Sequence, residues 1–318
     1  MKRLLKAVLR IGLLFFILVN IFVIMHAYKF THFVTGHSRL SRSTTQLSQP
    51  EKIRSLIFGV DLPRPVQRQV PAYSYRQVRI ASNATLDAWL TDVPDARGTI
   101  LLCHGYGGEK SSLNNYAQQF QKMGYNTLQL DFMGAGASSD NIVTIGYKEA
   151  ENVKDAFTYL QSEGYTNITG YGVSMGGVAL LKAYSDHRLP FKGFIIECPF
   201  GSMLGTVKAR FDIIGAPAFP MAHLLTFWGG TINGFNAFSH NSVDYARNVD
   251  IPVMLLSGAK DEYVTLQEID DIYNNLAGRK MKYILPEAKH ENYISRFGPE
   301  WLREVSPFLK GLSVGAQP

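Results

Sequence analysis

Apolar residues follow two different periods along this chain, and the two periods alternate from about residue 75 onward. Eight short runs rich in Val, Ile, Leu and aromatic residues predict strands, over residues 73–80, 86–93, 99–105, 126–132, 168–174, 192–200, 252–258 and 280–288. Helical spacing predicts helices over 110–123, 147–163, 175–186, 265–277 and 293–312. Residues 200–248 show neither period, and we expect them to be irregular. Two half-buried strands followed by repeated strand and helix units predict a mostly parallel eight-stranded sheet with helices on both faces.

The N-terminal pattern is different, because residues 11–27 are apolar and uncharged without either period. As a helix they span about 25 Å, close to the hydrocarbon thickness of a bilayer. The alternative is a cleaved secretory signal, but its apolar core is normally about 7 to 15 residues long and ends in a small-x-small site, whereas Met25 stands two positions before Ala27. We therefore expect residues 1–30 to be an uncleaved membrane anchor. Four basic residues precede the run and only Lys29 follows closely, which predicts a cytoplasmic N-terminus and an exoplasmic domain.

Charge is distributed unevenly along the chain. The net charge is +6, but residues 1–50 hold seven Lys or Arg and no acid, and the other 268 residues hold 25 basic and 26 acidic side chains. A domain that binds nucleic acid needs a basic surface, so none is predicted. Cys103 and Cys198 end two separate strand-like runs, with the strand before Ser174 expected between them. This separation is too large for a disulfide and predicts two buried free thiols.

The part between the anchor and the alternating pattern is expected to be a tether. Ser48, Pro50 and Glu51 fit a capping box with proline in the first turn, and Gly59 can end the short helix that would follow. The chain is therefore divided into the anchor, a juxtamembrane tether over residues 31–74, and a single large domain over residues 75–318.

A candidate nucleophile stands at the junction of a strand and a helix. Ser174 lies between Gly172 and Gly176, after an apolar run and before a helical one, which is the context of a nucleophile elbow. The glycines leave room for the neighbouring strand and helix, and the turn strains the serine backbone. The N–H of Met175 at the start of the helix is available to stabilise an oxyanion. We predict that Ser174 is catalytic.

Three further residues complete the prediction. A glycine-rich loop at residues 104–108 follows a strand, and the N–H of Tyr106 in this loop is the expected second oxyanion donor. Asp261 and His290 each follow a later strand, in the chain order serine, acid, base, and at the sheet edge where the serine also emerges. Glu262 is the rival acid. His104 is expected to fix the glycine-rich loop by hydrogen bonds.

These motifs resemble the α/β-hydrolase superfamily over about residues 75–315. The stretch 131–139, DFMGAGASS, is similar to the family's Asp-x-Arg-Gly-x-Gly-x-Ser pattern, with Met133 in place of the usual arginine. The loops that carry the predicted acid and base are similar to those of its esterase-like and serine-aminopeptidase-like branches. The resemblance implies an α/β-hydrolase fold and a serine hydrolase that needs no metal and no cofactor. Asp131 precedes the serine in the chain and is expected to be structural.

The resemblance also places a lid at about residues 200–248. Residues 213–243 contain no Asp, Glu, Lys or Arg. The lid aromatics either pack over the sheet or form an apolar pocket for an acyl chain, and the second alternative implies a small-molecule ester or acyl substrate with a lipid-like apolar part. We predict cleavage of carboxylic esters through a Ser-His-Asp triad and an acyl-enzyme. Two alternatives stay open: an aminopeptidase-like amide hydrolase, and a noncatalytic binding protein with the same fold.

Overall fold

The computed structural model describes residues 1–35, 54 and 58–314. Within these residues, eight strands form one sheet in the order β1-β2-β4-β3-β5-β6-β7-β8. The strands are β1 (Arg76–Ala81), β2 (Thr85–Thr91), β3 (Thr99–Cys103), β4 (Asn126–Leu130), β5 (Ile168–Val173), β6 (Phe194–Glu197), β7 (Val253–Gly258) and β8 (Lys280–Leu285). β2 is antiparallel to β1 and to β4, and the other neighbouring pairs are parallel. The predicted sheet is confirmed.

Helices cover both faces of the sheet. They are α1 (Lys2–Thr31), α2 (Asn114–Lys122), α3 (Glu149–Ser162), α4 (Met175–His187), α5 (Met203–Ile213), α6 (Met221–Ile232), α7 (Ser242–Ala246), α8 (Leu266–Asn275) and α9 (Tyr293–Val314). Side chains alternate along each strand: Leu101 of β3 belongs to the apolar cluster that includes residues of α3, α4 and α8, whereas Ile100 and Leu102 belong to the cluster that includes residues of α2 and α9. Each face of the sheet therefore has its own apolar core.

Two expectations about local structure are wrong. β2 is buried at every residue except Thr85, because Leu86, Ala88 and Leu90 belong to an apolar core cluster while Asp87 and Trp89 contact the buried Lys110. Residues 200–248 are largely helical and contain α5, α6 and α7, so the expected irregular stretch is a helical insertion between β6 and β7. Gly230 indicates why the pattern misled: a Cβ at this position would lie 2.5 Å from the carbonyl oxygen of Phe235. This glycine serves a close approach inside a helix and does not end it.

The first helix has two different halves. Residues 1–18 are exposed, whereas Val23, Ala27 and Thr31 form a buried stripe at helical spacing. The chain then continues along the domain, where the N–H of Phe33 donates to the carbonyl oxygen of Asn141 at 2.8 Å. The second half of α1 is therefore packed into the domain, and the first half extends away from it.

Two further predictions concern the tether helix and the two cysteines. The predicted short helix of the tether begins at Ser48, and most of it lies outside the described residues. Cys103 and Cys198 are both buried and free, with β5 between β3 and β6, so the prediction of two buried thiols is confirmed.

Candidate active site

Ser174 occupies a strained turn between β5 and α4. Its φ is 50° and its ψ is −113°, a conformation that residues other than glycine rarely adopt. The turn is held in place because the N–H of Ser174 donates to the carbonyl oxygen of Glu197 in β6 at 2.7 Å. The strain points to a functional constraint at this serine.

The flanking glycines are required by close approach of the backbone. A Cβ at Gly172 would lie 2.5 Å from the nitrogen of Gly177, and a Cβ at Gly176 would lie 2.2 Å from the carbonyl oxygen of Cys103. No side chain fits at these distances. The two glycines therefore allow α4 to begin directly against β3 and β5, with the serine at the bend.

Two loops bring an imidazole and a carboxylate to Ser174. The Oγ of Ser174 lies 3.2 Å from Nε2 of His290, and Nδ1 of His290 lies 2.7 Å from Oδ2 of Asp261. The other carboxylate oxygen of Asp261 accepts hydrogen bonds from the N–H groups of Tyr263 and Val264, at 2.8 Å and 3.0 Å. The carboxylate is thus fixed by its own loop and directed at the ring.

The rival acid does not reach the imidazole. Glu262 is exposed, and its Oε1 lies 3.7 Å from Nζ of Lys289 at the surface. Of the two neighbouring acids, the structure brings Asp261 to His290.

The two predicted oxyanion donors line the cavity that the serine faces, and one of them, Met175, directly follows the serine in the chain. Tyr106 follows β3, Met175 is the first residue of α4, and both line the same cavity as Ser174. Within the described part of the chain, neither N–H has a hydrogen-bond acceptor. Unpaired N–H groups beside a nucleophile are able to stabilise a developing negative charge.

His104 holds the glycine-rich loop. Its ring is buried, which lowers the pKa to about 4 and keeps the imidazole neutral at pH 7. The N–H of Phe132 donates to Nε2 at 3.2 Å, so Nδ1 carries the proton and donates to the carbonyl oxygen of Gly105 at 2.8 Å. Both ring nitrogens are thus used in structural hydrogen bonds, as expected.

Comparisons with known proteins show similarity to hydrolases. A family model described as "Serine aminopeptidase, S33" matches residues 94–224, which include Ser174 but end before Asp261 and His290. A carboxylesterase of Bacillus subtilis is 24% identical over 192 residues, which cover 56% of this chain and 77% of that protein. Protein bem46 of Schizosaccharomyces pombe is 23% identical over 272 residues, which cover 80% of this chain and 85% of that protein. The structure of the Pyrococcus furiosus esterase Pf2001 matches with a TM-score of 0.64 at 22% identity, over 78% of this chain and 98% of the esterase.

The chain is an α/β hydrolase. The strand order, the position of Ser174 after β5 and the matched family model together confirm the predicted superfamily and its fold.

A buried ionic cluster supports the loop after β3. Nζ of Lys110 lies 2.8 Å from Oδ1 of Asp87 and also pairs with Asp131, and all three side chains are buried. Asp131 further accepts from the N–H of Lys110 at 2.7 Å and from the N–H of Ala137 at 2.9 Å. Asp131 is therefore in a structural position, as expected, whereas Lys110 and Asp87 carried no sequence signal because their pairing joins distant segments.

A second buried network lies beneath the serine. The carboxylate of Glu197 accepts from Nε1 of Trp301 at 2.6 Å and from the hydroxyl of Tyr116 at 2.8 Å. Burial raises the pKa of Glu197 to about 7. The same hydroxyl of Tyr116 accepts from the N–H of Tyr293 at 2.9 Å, close to the His290 loop. Glu197 thus ties α2 and α9 to the strand that also holds the serine backbone, a role that the sequence analysis missed.

The electrostatics of His290 suit a proton acceptor. Burial lowers the pKa of the imidazole, but its contacts with Cys198 and Asp261 raise it, and the net pKa lies above 6.5. The pKa of the Cys198 thiol is itself raised by burial, so this thiol is neutral at pH 7 and the formal charge facing the ring is that of Asp261. In the neutral ring the proton on Nδ1 is directed at Asp261, so Nε2 is the unprotonated nitrogen that faces the hydroxyl of Ser174.

Three side chains at the site have the donor types of a metal site. Ligand atoms of Cys198, Asp261 and His290 all lie within 4.8 Å of one another. Both nitrogens of His290 are already hydrogen-bonded, to Asp261 and to Ser174. A cation bound here would have to replace one of these hydrogen bonds, so the arrangement fits proton transfer better than metal ligation.

A large apolar cavity opens onto the serine. Its volume is about 760 Å³, and Ser174 and His290 lie in its wall. A large part of the remaining wall comes from three helices that lie outside the alternating strands and helices of the domain. These are α1, which contributes Ala27 and Phe30, α5, which contributes Met203 and Val207, and α6, which contributes Leu225 and Gly229. The polar pair of Ser174 and His290 therefore lies in the wall of an apolar chamber.

The pH dependence of turnover tests the proposed proton acceptor. Because His290 must be neutral to take a proton and its pKa is raised, we expect kcat/KM to increase with pH through a midpoint above 6.5. Removing the carboxylate in Asp261→Asn should lower the rate by about 10³- to 10⁴-fold and move the midpoint of the residual activity to lower pH. Glu262→Gln is the matched control and should keep both the rate and the midpoint. An unchanged profile in Asp261→Asn would contradict the assignment.

Proposed function

We propose that the hydrolase is a serine esterase that cleaves carboxylic esters through an acyl-enzyme. The observation that carries the proposal is the continuous hydrogen-bonded series from Asp261 through His290 to a strained Ser174 in the wall of an apolar cavity. Each member has the residue type and the partner that nucleophilic acyl transfer requires.

The chemistry proceeds in two halves. Oγ of Ser174 attacks the ester carbonyl carbon while its proton passes to Nε2 of His290, and the N–H groups of Tyr106 and Met175 stabilise the oxyanion. The tetrahedral intermediate collapses, the bond to the alcohol breaks, and the leaving oxygen takes the proton from His290. Water then attacks the acyl carbon with His290 as base, which releases the acid and restores Ser174.

Esters are favoured over peptides by the charges around the cavity. An aminopeptidase must bind the positive α-ammonium group of its substrate, which calls for an available carboxylate. Of the described residues that line the cavity, Glu291 is the one carboxylic acid, and its Oε1 lies 2.9 Å from an Nη atom of Arg296. No carboxylate among them is left to hold an ammonium group. The aminopeptidase description of the matched family model keeps amide hydrolysis as the second candidate.

Covalent labelling tests the nucleophile. A fluorophosphonate probe should label the wild-type chain and fail to label Ser174→Ala, whose ester turnover should fall by several orders of magnitude. Ser162→Ala, at an exposed serine of α3, is the matched control and should label normally. A panel of p-nitrophenyl esters and aminoacyl amides completes the test. Amide turnover above ester turnover would favour the aminopeptidase-like alternative, and absence of labelling would favour the noncatalytic one.

An apolar acyl group is the substrate part that the cavity fits best. The insertion between β6 and β7 contributes part of the apolar wall, and we propose that residues 200–248 act as the lid of this chamber. Burying methylene groups in a dry apolar cavity is favourable in proportion to the area removed from water. Medium or longer acyl chains should therefore be preferred to acetate.

Filling the cavity tests the acyl preference. Ala27 of α1 is 3% exposed and lines the cavity, so Ala27→Phe would place a ring in the space for the acyl chain. We expect the ratio of laurate to butyrate ester hydrolysis, measured as kcat/KM, to fall about 10-fold or more. Ala7→Phe makes the same change on the exposed half of α1 and should keep the wild-type ratio. An equal decrease for both esters, or no decrease, would argue against an acyl site along α1.

We also propose that α1 anchors the hydrolase in a membrane. α1 is the one helix among the described residues that is long and apolar enough to cross a bilayer. A signal sequence also has this length and composition. Cleavage after Ala27, however, would remove the buried Val23 and expose the apolar surface of the domain against which Val23 packs. The basic residues before the apolar run favour a cytoplasmic N-terminus and an exoplasmic catalytic domain.

Membrane sidedness and the intact mass test this proposal together. The chain should stay in the membrane pellet after alkaline carbonate extraction, and its mass should include residues 1–30. Protease added from the exoplasmic side should digest the domain, since the proposed topology places the chain after α1 on that side. A soluble mature chain that lacks α1 would establish a signal sequence, and protection of the domain would reverse the orientation.

A further inference from the structure

A single arginine interrupts the apolar wall of the cavity. Arg210 lies on α5, is half-buried and lines the same cavity as Ser174. No carboxylate among the described residues lies within 4.0 Å of its guanidinium, and one of its N–H groups donates to the carbonyl oxygen of Thr206 at 2.8 Å. The remaining N–H groups of the fork have no protein acceptor in the described part of the chain. Arg210 therefore presents an unpaired cation to the cavity.

The rest of the cavity does not compensate this charge. The carboxylate of Glu291 is paired with Arg296. Burial lowers the pKa of Arg210, but a guanidinium stays protonated at pH 7. A cation that is partly withdrawn from water and has no counter-ion gains most from an anion that binds beside it.

Arg210 is positioned near the reacting groups. Its Cζ lies 5.5 Å from the ring centre of Phe30 and 5.7 Å from that of Tyr263. Phe30 stacks on Tyr106, with ring centres 5.0 Å apart, and the ring of Tyr263 lies 5.5 Å from that of His290. The two aromatic neighbours of Arg210 are thus the direct neighbours of a proposed oxyanion donor and of the proposed base. One aromatic ring therefore separates the guanidinium of Arg210 from each of these two residues, in the wall of the cavity that they share.

We propose that Arg210 binds an anionic oxygen group of the substrate, a phosphate or a carboxylate, carried next to the ester that Ser174 attacks. The inference rests on the proposed esterase function and narrows its substrate to an anionic amphiphile with an apolar acyl chain, an ester and a nearby negative charge. The planar fork of arginine suits this task because it donates two parallel hydrogen bonds to phosphate or carboxylate oxygens. The rings of Phe30 and Tyr263 hold the fork in place.

Three esters with the same acyl chain test the charge preference. They are monolauroylglycerol, which is neutral, lauroylglycerol phosphate, and the lauroyl ester of glyceric acid, which carries a carboxylate. The full-length chain is assayed in micelles of a neutral detergent with wild type, Arg210→Gln, Arg210→Lys and the control Lys208→Gln. Lys208 lies on the same helix, carries the same charge and does not line the cavity.

We expect wild type to prefer at least one anionic ester to the neutral one, and the preferred ester identifies phosphate or carboxylate as the bound group. Arg210→Gln should lower the anionic-to-neutral ratio of kcat/KM by about 10- to 100-fold, mostly through KM, because a charge-assisted hydrogen bond is lost. Arg210→Lys should recover part of the ratio, since it restores the charge without the fork. Lys208→Gln should keep the wild-type ratio.

Two results would overturn the inference. One is wild-type hydrolysis without preference for either anionic ester, and the other is an equal decrease for all three esters in Arg210→Gln. Fluorophosphonate labelling of Ser174 separates these results from failure of the proposed function. A chain that is labelled and hydrolyses the neutral ester without charge preference refutes only the role of Arg210, whereas a chain that is not labelled and hydrolyses none of the esters refutes the esterase function itself.

Discussion

The approach of α4 to the centre of the sheet is the constraint on which the site depends. α4 begins so close to β3 and β5 that Gly172 and Gly176 have no room for a Cβ, and the chain can turn from strand to helix only with Ser174 at a φ of 50°. This conformation costs on the order of 1–3 kcal/mol, which the surrounding packing must offset. In return, the hydroxyl stands above the sheet edge at 3.2 Å from His290.

Buried polar groups supply much of that packing. The cluster of Lys110 with Asp87 and Asp131 holds the loop of Tyr106 from one side of the sheet edge. Glu197, with Trp301 and Tyr116, holds the serine strand and the start of α9 from the other. Such groups destabilise a protein when they lack partners, and here they are linked to several elements at once. The loops that carry the reacting groups are thereby fixed relative to one another.

The cavity is assembled from segments that do not belong to the repeated strand and helix units. α1 provides one wall, and α5 and α6 of the insertion provide another, while Ser174 and His290 come from segments that follow strands of the sheet. The bond from the hydroxyl of Tyr106 to the carbonyl oxygen of Phe30, at 2.8 Å, joins the N-terminal helix directly to the glycine-rich loop. A proposed membrane helix is thus part of the chamber that faces the serine. Arg210, the cation in this otherwise apolar wall, also contacts Phe30 of the N-terminal helix.

The sequence by itself determined the eight strands, the order of the chemical groups and the apolar N-terminal run, because each is written in local spacing and in chain order. It predicted Ser174, Asp261 and His290 as neighbours for the same reason, since parallel strands end at one edge. Only the tertiary structure decided that β2 is internal, that residues 200–248 are helical, and that α1 lines the cavity. It also revealed Glu197, Lys110 and Arg210, whose environments are made by segments far apart in the chain. Contacts of that kind leave no periodic trace in a sequence, because they depend on which surfaces meet after the elements have formed.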